Sequence, residues 1–247
     1  MSVVVPCYNE AERLYVMLSD MRGFILEYPG YVRELILVDD GSKDGTVEIA
    51  LQMTRHFPVE VKVVPCAENR GKWSAIHEGM RVAKGEVIML IDADGSVRMR
   101  ELIQLHRYLP IWILKNNIVL RKQVYVGSRF KGVVEGKTWL RAVISRVYAG
   151  YAKAMLRYAT GRGTVDDPQC PIKVFPREMV VGVEWQIERF AGDCELLAEL
   201  ARKGAFFKSW GIHFIHMRGS KIRSNTVWGM MKDTWRVAKM YRNKRYI

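Results

Sequence analysis

The chain has 247 residues, of which 49% are hydrophobic, enough for one large domain with a full core or for two small ones. Its formal net charge of +13 predicts an anionic partner, which leaves nucleic acid, an anionic membrane surface or a phosphorylated substrate. No run of 18 apolar residues occurs and a strand begins at Ser2, so we expect neither a transmembrane helix nor a signal peptide; the 4 cysteines lack metal-binding spacing and close pairing, which indicates reduced thiols in a cytosolic setting.

The first 95 residues alternate between apolar runs typical of strands and amphipathic segments typical of helices. The predicted strands cover residues 2–6, 35–38, 59–64 and 87–91, and the predicted helices cover 11–26, 44–56 and 73–83. This alternation predicts a parallel sheet with right-handed crossovers. A helix over about 100–109 and a strand over 123–126 follow, whereas 110–122 has no clear pattern.

The fourth predicted strand ends at two acidic residues, Asp92 and Asp94, separated by Ala93. Its unbroken apolar run is typical of a strand buried on both faces. Open α/β sheets bind ligands just beyond the carboxyl ends of their strands, so this carboxylate pair is placed to hold a divalent cation and, through it, phosphates. The alternative is that one Asp caps the next helix.

Polar residues also follow the other predicted strands, and a parallel sheet brings all of them to one edge. The sequence has neither a Gly-x-Gly-x-x-Gly motif after the first strand nor a P-loop. Phosphates must therefore be held by a metal and by Lys or Arg, which fits a nucleoside diphosphate linked to a transferable group. The polar residues are Tyr8, Asn9, Glu10, Asp39, Asp40, Asn69, Arg70 and Lys72.

Two basic amphipathic helices are predicted in the second half, over about 138–160 and within 218–247. Helices with Trp, Met and basic residues beside an apolar face suit a membrane interface. The alternative is that both apolar faces pack on the sheet and the bases are solvated. The predicted apolar faces consist of Leu140, Val143, Ile144, Val147, Tyr151, Ala154, Met155 and Tyr158 in the first helix and Trp228, Met231, Trp235, Ala238 and Tyr241 in the second.

Four motifs in the first half resemble the family-two glycosyltransferases of the GT-A fold: 4–10, 38–42, 69–72 and 92–95. Motifs at 127–129, 167–175, 193–197 and 219–221 resemble the dolichyl-phosphate (polyprenyl-phosphate) β-glucosyltransferase branch, whose framework the dolichyl-phosphate mannose synthases share. The resemblance implies an α/β fold of the GT-A, Rossmann-like type, with a mostly parallel central sheet flanked by helices. It implies a catalytic domain over 1–217, with a nucleotide-binding half (1–95) and an acceptor half (96–217), followed by a membrane-interface segment over 218–247.

The same resemblance implies roles for individual residues. The nucleotide-sugar site would contain Pro6, Tyr8, Asn9, Glu10, Asp39, Asp40, Lys72, Asp92, Ala93, Gln169 and Glu195. Asp92 and Asp94 would bind Mg2+ or Mn2+, with Ser96 where mannose synthases often carry a further ligand, Gln. Arg129, Arg141 and Lys221 would meet the acceptor phosphate or the diphosphate, and Asp167, Gln169, Asp193 and Glu195 would line the sugar pocket. The residues implied in catalysis are Asp94, Arg129, Asp167 and Asp193.

Three of these residues have a simpler interpretation. Arg141 and Glu195 could lie on solvated helix faces, and Asp193 could simply pair with a base. Two departures from the family pattern concern the sugar pocket: Trp73 stands where the family usually has Gly, and Pro171-Ile172 replaces Gly-Phe.

The resemblance implies an inverting enzyme that moves glucose from UDP-glucose onto a dolichyl or polyprenyl monophosphate. We expect it to be peripheral, on the cytoplasmic, inner face of the membrane. The nearest alternative is mannosyl transfer from GDP-mannose. The different-class alternatives are a basic nucleic-acid-binding protein, against which no helix-turn-helix or RNA-binding signature appears, and a non-catalytic membrane scaffold, against which the intact acidic pair argues.

Overall fold

Seven strands form one mixed sheet, in the order β3-β2-β1-β4-β6-β5-β7. The structure is a computed structural model that describes residues 1–103, 122–136, 138–163, 165–189, 191–217 and 224–244. The strands are β1 Ser2–Cys7, β2 Glu34–Asp39, β3 Glu60–Pro65, β4 Val87–Leu90, β5 Gln123–Glu135, β6 Lys173–Pro176 and β7 Phe206–Ile215. The helices in the described ranges are α1 Ala11–Glu27, α2 Thr46–Thr54, α3 Lys72–Val82, α4 Trp139–Thr160, α5 Gly192–Arg202 and α6 Ser224–Lys244.

The parallel half of the sheet is as predicted. β1 pairs in parallel with β2 and with β4, and β2 pairs in parallel with β3. The register places Cys7 opposite Asp39 and Val4 opposite Leu90, so the loops after these strands leave from one edge. The apolar runs of β1 and β2 are buried on both faces, as their unbroken Val, Leu and Ile content predicts.

The sequence did not predict β6, which runs antiparallel between β4 and β5. With only 4 residues, β6 is too short to give a periodic signal. Its register places Lys173 opposite Leu90, so the start of β6 lies beside the end of β4. The antiparallel direction therefore brings the segment before Lys173 to the same edge as the acidic pair.

The predicted helix over 100–109 differs from the structure, which has a 3-10 turn over Met99–Leu102. Residues 104–121, which include the rest of that helix, lie outside the described residues. The strand predicted over 123–126 continues to Glu135, with a register shift between Ser128 and Val133 in its pairing with β7.

Helices α4, α5 and α6 pack on one another and form the C-terminal part of the described chain. The Tyr148 and Thr234 hydroxyls form a buried hydrogen bond of 2.6 Å between α4 and α6. Among the described helices, none is both long enough and apolar enough to cross a bilayer.

The prediction of the packed faces needs correction. The buried side of α4 consists mainly of small residues, with Tyr148 and Leu156, while most of the predicted apolar face is exposed. In α6 the predicted face is divided: Ala238 and Tyr241 are buried, but Trp228 and Trp235 are exposed. The prediction that both apolar faces pack on the sheet is therefore wrong for α4, and the buried part of the α6 face belongs to a helix that packs on α4 and α5.

Candidate functional site

A cavity of about 330 Å³ opens at the edge where β1, β2 and β4 end. The loops that follow β1, β2, β3 and β4 all contribute to its wall, as expected for the carboxyl edge of a parallel sheet. Arg189, which the sequence did not single out, also lines it. The lining residues are Pro6, Cys7, Tyr8, Glu10, Asp40, Asn69, Gly71, Lys72, Asp92, Ala93, Asp94 and Arg189.

Asn9 joins the loops that follow β1 and β2. Its backbone has a positive φ of 51°, a conformation that Asn tolerates better than most residues. Its N–H donates to Ser42 Oγ at 2.8 Å, and its Oδ1 accepts from the Lys43 N–H at 2.9 Å. These contacts give Asn9 a part in shaping the loops around Tyr8 and Glu10.

The two acidic residues after β2 act differently. Asp40 is buried, and its carboxylate accepts from the backbone N–H groups of Arg70 and Gly71, each at 2.9 Å, so it holds the loop after β3. Burial, which outweighs these hydrogen bonds, raises the pKa of Asp40. Asp39 accepts from the Ser42 N–H through Oδ2 at 2.9 Å, whereas its buried Oδ1 has no hydrogen-bond partner among the described residues. Asp39 itself is not among the residues that line the cavity.

Asp92, Asp94 and Lys72 form the charged wall of the cavity. Lys72 Nζ lies 2.6 Å from Asp92 Oδ1. Burial opposes the charge on Lys72, but the carboxylates of Asp92, Asp193 and Asp94 outweigh it and raise the pKa of the ammonium group. Asp94 Oδ1 accepts from the Ser96 N–H at 2.9 Å, in a turn that Gly95 permits with a φ of +71°.

The donor set of this wall limits how it can hold a cation. Within the described ranges, no group of three or more His, Cys, Asp or Glu side chains is arranged to hold a metal ion. Ser96 is buried, and its backbone N–H orients Asp94. Two carboxylates without a third protein ligand fit Mg2+-type binding, in which substrate phosphates and water complete the coordination.

Arg129 and Asp167 form a buried, bidentate ion pair. Arg129 Nε and Nη2 donate to the two carboxylate oxygens at 2.6 and 2.8 Å, and Asp167 is fully buried. Burial alone would weaken the guanidinium charge, but Asp167 outweighs it and raises the pKa of Arg129. Two of the predicted site residues are thus held in one fixed geometry.

Asp193 pairs with Lys173, a residue that sequence reasoning missed as part of the site. Lys173 is 1% exposed, and its Nζ lies 2.5 Å from Asp193 Oδ1 and from the carbonyl oxygen of Cys170. The simpler interpretation, that Asp193 pairs with a base, is correct, and its charge also contributes to the raised pKa of Lys72 and of Arg129. Only the antiparallel course of β6 reveals Lys173.

Glu195 is fully buried in α5, so its placement on a solvated helix face is wrong. Its two carboxylate oxygens accept from the N–H groups of Gln186 and Ile187, each at 2.9 Å. Burial raises its pKa despite these bonds. Glu195 therefore anchors the segment over 183–189, which ends with Arg189 in the cavity wall, and it does not itself line that cavity.

The remaining predicted residues lie farther from the cavity wall or outside the described chain. Gln169 is half-buried in the turn between Asp167 and Cys170. Arg141 is exposed in the first turn of α4, which agrees with a solvated position. Lys221 lies outside the described residues.

Comparison with known proteins shows similarity along almost the whole chain. Residues 2–109 match the family model described as glycosyl transferase family 2. A dolichyl-phosphate beta-glucosyltransferase of Trichomonas vaginalis is 27% identical over 247 residues, which cover 98% of this chain and 73% of the relative. The Homo sapiens dolichyl-phosphate beta-glucosyltransferase is 30% identical over 205 residues, covering 80% of this chain and 61% of the relative.

Solved structures show the same fold. Glucosyl-3-phosphoglycerate synthase from Mycobacterium tuberculosis, in complex with Mn2+, UDP and phosphoglyceric acid, matches with a TM-score of 0.68 at 16% identity, over 98% of this chain and 78% of that one. S. aureus TarS matches with a TM-score of 0.60 at 15% identity, over 97% of this chain and 64% of that one. These neighbours are GT-A glycosyltransferases, so the predicted fold class is confirmed.

Proposed function

Residues 2–109 belong to glycosyl transferase family 2 on a GT-A fold, and from this premise we propose that the chain transfers glucose from UDP-glucose to a dolichyl or polyprenyl monophosphate. One observation carries the proposal: the cavity is large enough for a small-molecule ligand, and Lys72, Asp92 and Asp94, which line it, are suited to bind a diphosphate through a cation. The similarity to dolichyl-phosphate beta-glucosyltransferases over 98% of the chain supports the choice of sugar and acceptor.

The nucleotide would occupy the part of the cavity lined by Tyr8, Glu10 and Asp40. The volume of the cavity, about 330 Å³, falls within the usual range for small-molecule sites. An acceptor in the cavity would meet a base N–H of uracil and of guanine alike, because both bases carry one. The choice of UDP over GDP therefore rests on the similarity to glucosyltransferases.

The diphosphate would lie against Lys72, Asp92 and Asp94. We propose that the two carboxylates hold Mg2+ or Mn2+ together with the phosphate oxygens, and that Lys72 moves from Asp92 toward phosphate when the donor binds. When bound, the cation would stabilise the charge of the leaving nucleoside diphosphate. Ser96 fixes Asp94 through its N–H, which supports its place beside the metal site without making it a ligand.

The acceptor phosphate needs cations more than it needs a base. A phosphate monoester has a second pKa near ~6 and is largely dianionic at neutral pH, so its oxygen attacks without a general base. We propose that Arg129, held by Asp167, meets this phosphate, with Arg141 and Lys221 as the other candidate cations. Attack in a single displacement would invert the anomeric carbon.

A donor and acceptor panel tests this function. The purified chain with Mn2+ is offered UDP-glucose, UDP-galactose, GDP-mannose or GDP-glucose, each with a long-chain polyprenyl phosphate in vesicles. We expect lipid-linked hexose from UDP-glucose alone. Product from GDP-mannose in its place would favour the mannose synthase alternative, and the absence of lipid-linked sugar with every donor would refute the proposed function.

A membrane-bound acceptor also requires a surface that meets the bilayer, and α4 and α6 offer one. Trp139 is 77% exposed, Trp228 is 76% exposed and Trp235 is 50% exposed. Lys239 lies over the Trp235 ring at 4.7 Å, which combines charge and aromatic surface as at membrane interfaces. We call this the interface patch and propose that it docks the enzyme on an anionic membrane; it consists of Trp139, Leu140, Val143, Val147, Trp228 and Trp235.

Replacing the three tryptophans of the interface patch by serine should weaken binding to vesicles that contain anionic lipid by at least about tenfold. The physical reason is the loss of exposed apolar area that would otherwise enter the bilayer, with ~1.4 kcal/mol for each factor of ten. Sedimentation with anionic liposomes at low salt measures the effect. Leu51→Ser, an exposed apolar residue on α2 at 56% exposure, is the control and should bind like the wild type. Unchanged sedimentation of the triple variant would contradict membrane docking by this patch.

A further inference from the structure

We propose that the contact between Trp73 and Gly192 positions Asp193 for sugar transfer, an inference that rests on the proposed function. Trp73 follows Lys72 at the start of α3, and Gly192 precedes Asp193 at the start of α5. Each member of the contact is therefore the chain neighbour of a charged site residue. The contact therefore joins the start of α3, which carries Lys72, to the start of α5, which carries Asp193.

Gly192 lies directly on the indole ring. A Cβ atom at this position would lie 2.2 Å from Trp73 Cγ and 2.3 Å from Cδ2, far inside van der Waals contact. Any side chain at position 192 must therefore move either the ring or the start of α5. The backbone of Gly192 is helical, a conformation that any residue can adopt. Glycine is therefore needed here for the close approach to the ring and not for its backbone conformation.

The Trp73 ring cannot retreat. It is 1% exposed, and the first turn of α3 is fixed because the Trp73 and Ser74 N–H groups donate to the Glu188 carbonyl at 2.8 and 3.0 Å. The His77 ring lies 5.8 Å from the indole on one side and stacks on Trp185 at 5.0 Å on the other. Burial, and to a smaller degree Arg70, lowers the pKa of His77 to about 4, so this aromatic stack is neutral at pH 7.

Asp193 is held from its other side by Lys173, at 2.5 Å. Lys173 is fixed in turn by its register opposite Leu90, two residues before Asp92. The start of α5 thus meets the buried indole through Gly192, and the next residue, Asp193, is held by its ion pair with Lys173. A shift of ~1 Å in such a group can cost ~100-fold in rate. Trp73 and Gly192 are therefore positioning residues that act through Asp193.

A double-mutant cycle tests the contact. We expect Gly192→Ala to lower kcat about 30-fold or more. UDP affinity should change by less than about threefold, because the substitution leaves Tyr8, Glu10 and Asp40 of the cavity unchanged. Trp73→Leu removes the steric stop, so Gly192→Ala in the Trp73→Leu background should lower kcat by less than about threefold. Gly23→Ala on α1 is the matched control, because a Cβ there meets nothing within 4 Å, and it should retain wild-type kcat.

The melting temperatures of the wild type, the two single variants of the cycle and the double variant give a measurement that does not depend on activity. Gly192→Ala should destabilise the wild type more than it destabilises Trp73→Leu, even if the single variant folds poorly. Equal effects in both backgrounds, on kcat or on melting temperature, would overturn the inference, as would wild-type kcat in Gly192→Ala. A wild type that transfers no sugar would refute the proposed function, and the melting temperatures would still decide whether the two residues interlock.

Discussion

Replacement of Asp94 by alanine should abolish hexose transfer, with a loss of at least about 1000-fold in kcat. The side chain lines the cavity beside Asp92, and the wall has no third acidic ligand among the described residues. Losing one of two carboxylates should remove the divalent cation and with it several kcal/mol of stabilisation of the leaving group, at ~1.4 kcal/mol for each factor of ten. Steady-state transfer over a range of Mn2+ concentrations measures the loss.

The fold should survive this change. Among the described residues, the Asp94 carboxylate accepts one hydrogen bond, from the Ser96 N–H at 2.9 Å, and such a bond contributes about 1–3 kcal/mol. Asp166→Ala, a partly exposed Asp that pairs with Lys131 at 2.6 Å, is the control and should keep transfer intact. Near-wild-type transfer by Asp94→Ala would remove this residue from the metal site.

Arg129→Met should destabilise the protein by about 3–5 kcal/mol and also stop transfer. The substitution leaves the fully buried carboxylate of Asp167 without the bidentate partner that its two oxygens contact at 2.6 and 2.8 Å. Breaking one side of a buried ion pair is costly, because the other charge stays in a low-dielectric environment. Urea denaturation and the transfer assay measure the two effects separately.

A second variant separates structure from function at this pair. Arg129→Met combined with Asp167→Leu replaces both charges by apolar groups, so stability should return to within about 2 kcal/mol of the wild type. Transfer should stay lost, because no guanidinium meets the acceptor phosphate. Recovery of transfer together with stability would show that the pair is purely structural.

The nucleotide half of the site could be predicted because its signals are local. Unbroken apolar runs predicted β1, β2 and β4, and the topology of parallel sheets then brought Tyr8, Asp40 and Asp92 to one cavity. Asp39 and Asp40 show the limit of such reasoning. The resemblance assigned both residues to the nucleotide. The carboxylate oxygens of Asp40 accept hydrogen bonds from the loop after β3, whereas Asp39 Oδ1 has no partner among the described residues.

The other half depends on contacts between distant parts of the chain. Lys173 became a site residue only because the 4-residue strand β6 runs antiparallel beside β4, and so short a strand leaves no periodic pattern. Arg189 reaches the cavity because Glu195 holds its segment, a link that no spacing reveals. In α4, apolar residues occur on two sides, so hydropathy alone could not decide which side packs on α6.

The structure of the lipid product distinguishes inverting transfer to a lipid phosphate from retaining transfer and from hydrolysis of the donor. The chain, UDP-glucose and Mn2+ are combined with a long-chain polyprenyl phosphate in anionic vesicles, and the lipid product is analysed by mass spectrometry and by the anomeric coupling in NMR. We expect one hexose on the lipid phosphate, joined through a β-linkage from the α-linked donor, with one UDP released for each transfer. A retained α-linkage, or UDP release without lipid-linked sugar, would contradict it.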